Sequence, residues 1–284
     1  MAKALEQVAV LGGRGMLGSE VGAALRAAGH AVRSYDLPEC DVTAPAALEA
    51  ALEGVTAVVN CAAFTAVDAA ESQASRAMAV NGEAPGVLGR LAASRGIYVL
   101  HVSTDFVFDG ALDRPYREDD AARPLSVYGA SKLAGERALA AAGGAQATVR
   151  VQWTYGAAGA NFVSRFLERA ASTTDLMMVA DQVGAPTWTG DVAAALVHLL
   201  ARRATGLFHY AAAGAATRYE VAAAILALRG LYGRRLEACR TADLAAAARR
   251  PLNSRFDCSR VDAMGIPARP PWREALARFL ETSA

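Results

Sequence analysis

Gln7-Val-Ala-Val-Leu-Gly-Gly-Arg-Gly-Met-Leu-Gly18 runs an apolar segment directly into glycines spaced Gly12-x-x-Gly15-x-x-Gly18. The apolar run reads as a buried strand, and the residues from Met16 to Ala28 read as the helix that follows it. Glycines let a backbone turn sharply and approach a pyrophosphate, and a helix N-terminus adds free N–H groups and partial positive charge. The expected cofactor cradle is therefore Gly12, Arg14, Gly15, Met16, Leu17 and Gly18. Asp36 closes the next apolar run, where a carboxylate can accept hydrogen bonds from the adenosine ribose hydroxyls and repels a 2′-phosphate. That leans toward NADH, while Arg14, able to pair with a 2′-phosphate, keeps NADPH open.

Outward from this turn, short β-branched runs alternate with alanine-rich helical stretches, the pattern of parallel βαβ units. Strands are expected at Gln7–Leu11, Ala31–Tyr35, Ala57–Asn60, Ile97–Val102 and Ala147–Gln152. Helices are expected at Met16–Ala28, Ala44–Leu52, Ser75–Ser94 and Ser126–Ala141. Gly29, Gly54, Gly96 and Gly143-Gly144 fall where helices should stop. The fold class is α/β, a doubly wound parallel Rossmann sheet with a smaller C-terminal α/β substrate-binding lobe. Residues 1–152 are expected to form the dinucleotide-binding domain and residues 153–284 the lobe, partly interleaved with it. That second half carries helices at Phe162–Ala171, Val192–Leu200, Tyr219–Leu228 and Trp272–Leu280, and strands near Leu176–Ala180 and at Gly206–Tyr210.

The 284 residues are 54% hydrophobic, ample for a core, and a net charge of +1 argues against a nucleic-acid surface. Arg202-Arg203, Arg234-Arg235 and Arg249-Arg250 are isolated pairs. Cys40, Cys61, Cys239 and Cys258 form no Cys-x-x-Cys pattern and read as free thiols of a reducing compartment. No signal peptide is expected, because an acidic residue interrupts the N-terminal stretch, and no run is long and apolar enough to span a membrane. A cytoplasmic protein without nucleic-acid or membrane partners is the expectation.

Chemistry enters at Ser126-Val-Tyr-Gly-Ala-Ser-Lys-Leu-Ala-Gly-Glu136. Positions i and i+4 share a helix face, so Tyr128 and Lys132 can meet one substrate and one cofactor. A nearby ammonium favours the phenolate, so Lys132 is expected to bring Tyr128 toward a usable acid. Ser103-Thr-Asp105 follows the fourth strand, and the Thr104 hydroxyl can stabilise an alkoxide as it develops. The alternative for that triplet is a turn or helix cap. Val58-Val-Asn-Cys-Ala-Ala-Phe-Thr65 ends the third strand in small residues, which suits Cys61, Ala62, Ala63 and Thr65 to a close-lying cofactor, as does Val102 at the end of the fourth. Asp41 and Val42 could hold the adenine edge or open the next helix.

The glycine turn, the Ser/Thr after strand four and Tyr-x-x-x-Lys together resemble the extended short-chain dehydrogenase/reductase family. Ser103-Thr-Asp-Phe-Val-Phe-Asp-Gly110, Pro124-Leu-Ser-Val-Tyr-Gly129, Asp181-Gln-Val-Gly-Ala-Pro-Thr187 and Arg249-Arg-Pro-Leu-Asn-Ser-Arg255 narrow the resemblance to the dTDP-4-dehydrorhamnose reductases. It implies hydride transfer from NADPH or NADH to C4 of a 4-keto nucleotide sugar, with Tyr128 delivering the proton and Thr104 polarising the oxygen. It also implies that Lys132 holds the nicotinamide ribose, Trp153 packs on the sugar and Asp105 contacts it. Asn161 and Arg255 are further substrate candidates.

The chain departs from that family's usual pattern at Phe106, where Tyr is common, and at Arg150-Val-Gln-Trp153, where Arg-Thr/Ser-Ser-Trp is. Some members dimerise through Mg2+ held by C-terminal carboxylates. No such acidic cluster occurs here, so no metal site is expected and a homodimer stays open. Dehydration would need an acid–base pair after the Thr, and its Glu position is Phe106. A 4-ketoreductase for another dTDP-sugar is the nearer alternative. A non-catalytic subunit resembling the beta subunit of methionine adenosyltransferase is the alternative of a different class.

Overall fold

The computed structural model describes residues 6–282. In chain order the first half comprises β1 (Gln7–Leu11), α1 (Met16–Ala27), β2 (Ala31–Tyr35), α2 (Pro45–Ala51), β3 (Ala57–Asn60), α3 (Val67–Ser72), α4 (Ala74–Met78), a π-helical turn (Ala79–Glu83), α5 (Ala84–Ser94), β4 (Tyr98–Thr104), α6 (Val127–Ala142) and β5 (Gln146–Val151). The second half adds β6 (Thr154–Tyr155), α7 (Phe162–Ser172), β7 (Asp175–Val179), β8 (Val183–Gly184), β9 (Thr187–Trp188), α8 (Thr189–Ala201), β10 (Gly206–Tyr210), β11 (Ala216–Thr217), α9 (Arg218–Leu228), β12 (Arg235–Cys239), α10 (Ser259–Asp262) and α11 (Trp272–Thr282).

Six strands form one parallel sheet in the order β10-β5-β4-β3-β1-β2. Alternation along each strand supplies both faces. Val8, Val10, Ala57 and Val59 pack with Val21 and Leu25 of α1 and Val192, Leu196 and Leu199 of α8. Ala9, Leu11 and Val58 face the other way, onto Leu48 of α2, Leu88 of α5 and Leu139 of α6. Burial on both faces is why these strands read as continuous apolar runs rather than alternating ones.

Two differences from the sequence expectation have clear causes. Strand β10, expected in the covering lobe, joins the central sheet, and α8, expected there too, packs on that sheet's face. Phe208, His209 and Tyr210 are buried there, and β10 pairs in parallel with β5. The single helix expected over Ser75–Ser94 is instead α4, the π turn and α5. Pro85 has no N–H for the carbonyl of Asn81, so the chain widens at that point. Helix α6 then closes on the exposed carbonyl: a Cβ on Gly135 would lie 2.0 Å from the Asn81 oxygen.

A second core lies among β6, α7, α9 and α11, built from Tyr155, Phe166, Ile225, Leu276 and Phe279. The parallel pair β7–β12 borders it. β12, Arg235-Leu-Glu-Ala-Cys239, has no expected counterpart because its half-exposed charged alternation carries no core signal. Among the described residues no helix is long and apolar enough to cross a membrane.

Candidate active site

The glycine turn is built around close backbone approach. Gly12 has φ 72°, and a Cβ there would lie 2.7 Å from the Ala62 nitrogen, so this turn and the chain leaving β3 nearly touch. A Cβ on Gly18 would lie 2.1 Å from the Gly12 carbonyl oxygen. Met16 opens α1 with Gly15 as its N-cap, and no side chain caps that end. The free N–H groups of Met16, Leu17 and Gly18 are thereby left for an anion, which fits a pyrophosphate. Asp36 at the end of β2 accepts from the Arg14 backbone N–H at 3.0 Å and the Leu37 N–H at 2.9 Å, tying the turn to the second strand. The Arg14 guanidinium pairs with Glu39 and donates to the Leu37 carbonyl at 3.1 Å. A 2′-phosphate arriving here meets Asp36 and Glu39 as well as Arg14.

Cys61, Ala62 and Ala63 leave β3 beside Gly12, and burial pushes the Cys61 thiol up to about 12, leaving it neutral. Thr65 is exposed beyond them. Asn60 and Asn81 fix this segment: the Asn60 side chain accepts from Ala62 N–H at 3.2 Å, and Asn81 bonds both the N–H and carbonyl of Phe64. Asn81 also donates to the Ser131 hydroxyl at 3.0 Å, linking the chain leaving β3 to α6. Asp41 accepts from the Thr43 N–H and hydroxyl, and Val42 packs into the second-face core. The Asp41 carboxylate thus closes a turn rather than capping α2, whose N-cap is Ala44.

Helix α6 starts at a Ser126 cap, which accepts from the Gly129 N–H, and carries Tyr128, Lys132 and Glu136 one turn apart. Tyr128 meets the Thr104 hydroxyl from the end of β4, and Thr104 in turn donates to Asp105 at 3.1 Å. Phe106 meets the Tyr128 ring edge-on at 5.5 Å. The Lys132 ammonium donates to the Val102 carbonyl at 2.7 Å. Here the sequence expectation needs correction. Burial, helped by Asp105 and opposed by Thr104, pushes the Tyr128 phenol up to about 12, and Lys132 is bonded to a carbonyl instead of lowering it. Burial also brings Lys132 down to about 8, against the pull of Glu136 and Cys61. The arrangement holds a protonated phenol at neutral pH, which is what a proton donor needs.

On the far side of Thr104, the buried Asp105 carboxyl has one oxygen without a hydrogen-bond partner. Burial raises its pKa, while Ser254 and Arg218 counter that rise. Trp153 occupies the left-handed region at φ 43°, a costly backbone for an aromatic residue. Its neighbours impose it. Gln152 bonds both the Ser254 carbonyl and the Ala185 N–H, and Thr187 donates to the Trp153 carbonyl. The Arg218 guanidinium lies 3.6 Å from the Trp153 ring centre and covers one face. Gly184 packs on the same indole: a Cβ there would lie 2.7 Å from Trp153 Cε2.

The remaining substrate candidates are engaged elsewhere. The Asn161 side chain caps α7, accepting from Val163 and Ser164 and donating to the Gly156 carbonyl. It lines a cleft of about 440 Å³ whose walls hold none of Thr104, Tyr128 and Lys132. Arg255 bonds the Asn253 side chain at 2.9 Å and the Asp113 carbonyl, strapping the chain after Asn253 to the loop before Tyr116. Sequence reasoning missed Arg218, Ser254 and Asn81. Their partners lie at long sequence separation, as Asn81 with Ser131 does, and leave no local signal.

Comparison with known proteins places this geometry. The family model described as the RmlD substrate binding domain matches residues 6–284. A dTDP-4-dehydrorhamnose reductase from Streptomyces griseus is 41% identical over 275 residues, covering 94% of this chain and 90% of that one. A probable dTDP-4,6-dihydroxy-2-methyloxan-3-one 4-ketoreductase from Streptomyces antibioticus is 37% identical, covering 94% and 92%. The crystal structure of a dTDP-4-dehydrorhamnose reductase from Bacillus anthracis in complex with NADP superposes with a TM-score of 0.94 at 27% identity, over 98% of this chain and 100% of that one.

Proposed function

Because this chain belongs to the RmlD substrate binding domain family, we propose that it is an NAD(P)H-dependent oxidoreductase that reduces the C4 keto group of a nucleotide-activated deoxysugar, dTDP-4-dehydro-L-rhamnose to dTDP-L-rhamnose. The observation that carries this reading is the Tyr128 phenol, kept protonated by burial, paired with Thr104 and one helical turn from Lys132. Bound NADPH or NADH supplies the hydride. Tyr128 gives its proton to the sugar O4 as charge develops there, and the Thr104 hydroxyl steadies that oxygen. Lys132, freed from the Val102 carbonyl, holds the nicotinamide ribose, and the turn from Gly12 to Gly18 holds the pyrophosphate. Asp105 accepts a sugar hydroxyl, and Trp153 packs on the ring. All four cysteines are free thiols, which supports a cytoplasmic setting.

Incubating the purified protein with NADH or NADPH and dTDP-4-dehydro-β-L-rhamnose, with the product sugar identified by NMR, tests the reading. Cofactor oxidation with formation of dTDP-L-rhamnose is expected. Oxidation only with a different 4-keto dTDP-sugar would move the assignment to the second reading, which the similarity to the Streptomyces antibioticus 4-ketoreductase favours. Cofactor binding without turnover on any such sugar would refute both.

Coenzyme choice turns on Asp36. Its carboxylate, at the end of β2, would accept from the adenosine ribose hydroxyls of NADH, and hydrogen bonds to a charged group contribute about 1.5–3 kcal/mol. Asp36→Ala is therefore expected to weaken NADH by roughly tenfold more than NADPH in fluorescence titrations. Equal losses would mean that Asp36 only braces Arg14 and Leu37.

A further inference from the structure

Arg218 is the first residue of α9, and its guanidinium makes no hydrogen bond among the described residues. It lies flat on Trp153 at 3.6 Å and 5.0 Å from the Phe162 ring centre. Asp105 and Arg250 act on it through space without touching it. A partly buried cation with no acceptor is costly, and five unused N–H groups beside a catalytic cluster leave that cost standing until something fills the gap.

The other cations around the site are occupied. Lys132 donates to Val102, Arg14 pairs with Glu39, and Arg255 is held by Asn253 and the Asp113 carbonyl. Arg250 is bound to Asp68 at 2.6 Å. The reacting sugar is uncharged, so the negative charge of a nucleotide sugar sits on its diphosphate. A planar guanidinium already fixed on an aromatic face has lost little freedom when it binds, and its fork matches two phosphate oxygens.

Resting on the nucleotide-sugar reading above, we infer that Arg218 is a specificity-determining residue that receives the substrate diphosphate, with Trp153 as its platform and Arg250 adding positive potential. Asp105, one of whose carboxyl oxygens has no hydrogen-bond partner and whose charge acts on Arg218, takes a hydroxyl of the sugar attached to that diphosphate.

The competing role is a prop that merely holds Trp153 in its left-handed backbone. Binding of thymidine 5′-diphosphate, measured by titration calorimetry on the full chain, separates the two. Arg218→Met keeps an apolar layer over the indole and removes the charge. It is expected to lose about 10- to 100-fold in thymidine diphosphate affinity. KM for the keto sugar should rise in step, with kcat within a few-fold of wild type. Arg218→Gln, planar but neutral, should show the same loss, and unchanged NADPH affinity in either variant reports an intact fold. Thymidine diphosphate affinity within twofold of wild type in a folded variant overturns the inference, as does a fall in kcat with affinity retained. Wild-type protein that neither binds thymidine diphosphate nor reduces a 4-keto dTDP-sugar overturns the functional reading, and this inference with it.

Discussion

Tyr128→Phe is expected to lower kcat by about two to four orders of magnitude, the usual contribution of a positioned general acid, while NADPH affinity stays within a few-fold of wild type. The separation follows from how the side chain is held. The phenylalanine ring keeps its edge contact with Phe106, packed at 5.5 Å in the wild type, so the pocket wall survives. Thr104 keeps Asp105 as an acceptor at 3.1 Å, and Lys132 keeps the Val102 carbonyl, so neither is orphaned by the change. What disappears is one proton, stored on a phenol that burial holds at about 12 and therefore protonated across the neutral range. Stopped-flow measurement of hydride transfer together with an equilibrium titration of NADPH decides the matter. Turnover near wild type would remove Tyr128 from the chemistry, and parallel loss of cofactor affinity would make it a binding residue.

That such a prediction could be framed from the sequence reflects which parts of the site are encoded locally. Gly12, Gly18, Asp36, Tyr128 and Lys132 sit at spacings that a single strand–turn–helix or one helical turn imposes, so their roles can be read before any fold is known. Thr104 is legible for a similar reason, because a strand end in a parallel sheet opens at the ligand edge. Arg218 and Ser254 have no such signature. They reach Asp105 from β11–α9 and from the chain after Pro251, and only tertiary folding brings those segments to the end of β4.

The electrostatics were less legible still. The i, i+4 spacing says that Tyr128 and Lys132 share a face, but not that the ammonium will bond the Val102 carbonyl or that desolvation will dominate the phenol. Strand β10 escaped its sheet assignment because Gly206–Tyr210 reads as a strand without stating its neighbour; pairing beside β5 depends on α8 packing against α1. Period and spacing specify elements, whereas partners at long sequence separation are set by packing.

The largest stability effect is expected at a contact the sequence also did not announce. Glu136, one turn beyond Lys132 on α6, accepts from Ser103 at 2.5 Å and from Arg150 at 2.9 and 2.6 Å. Both charges are nearly sealed, with side-chain exposures of 4% for Arg150 and 8% for Glu136. Arg150 also meets His209 Nε2 at 3.3 Å and lies 4.9 Å from the Phe108 ring centre. An arginine only donates, so Nε2 must accept and Nδ1 donates to the Tyr116 carbonyl at 3.1 Å. Burial, reinforced by Arg150, brings His209 down to about 3 and keeps that ring neutral. Glu136 is thus the carboxylate that answers Arg150, and Glu136→Gln leaves a buried guanidinium uncompensated. Breaking such a pair costs about 3–5 kcal/mol, and for a chain of this size the melting temperature should fall on the order of 10 °C. The double replacement Glu136→Met with Arg150→Met removes both charges and should recover part of that loss, since an apolar pair avoids the desolvation of two ions while the Ser103 hydroxyl and His209 Nε2 lose their partners. Calorimetric melting of wild type, the single variant and the double variant tests the pair. A single variant that melts within 2–3 °C of wild type, roughly 1 kcal/mol on this scale, would mean that water reaches Arg150 and that α6 is anchored to the sheet by its apolar face alone.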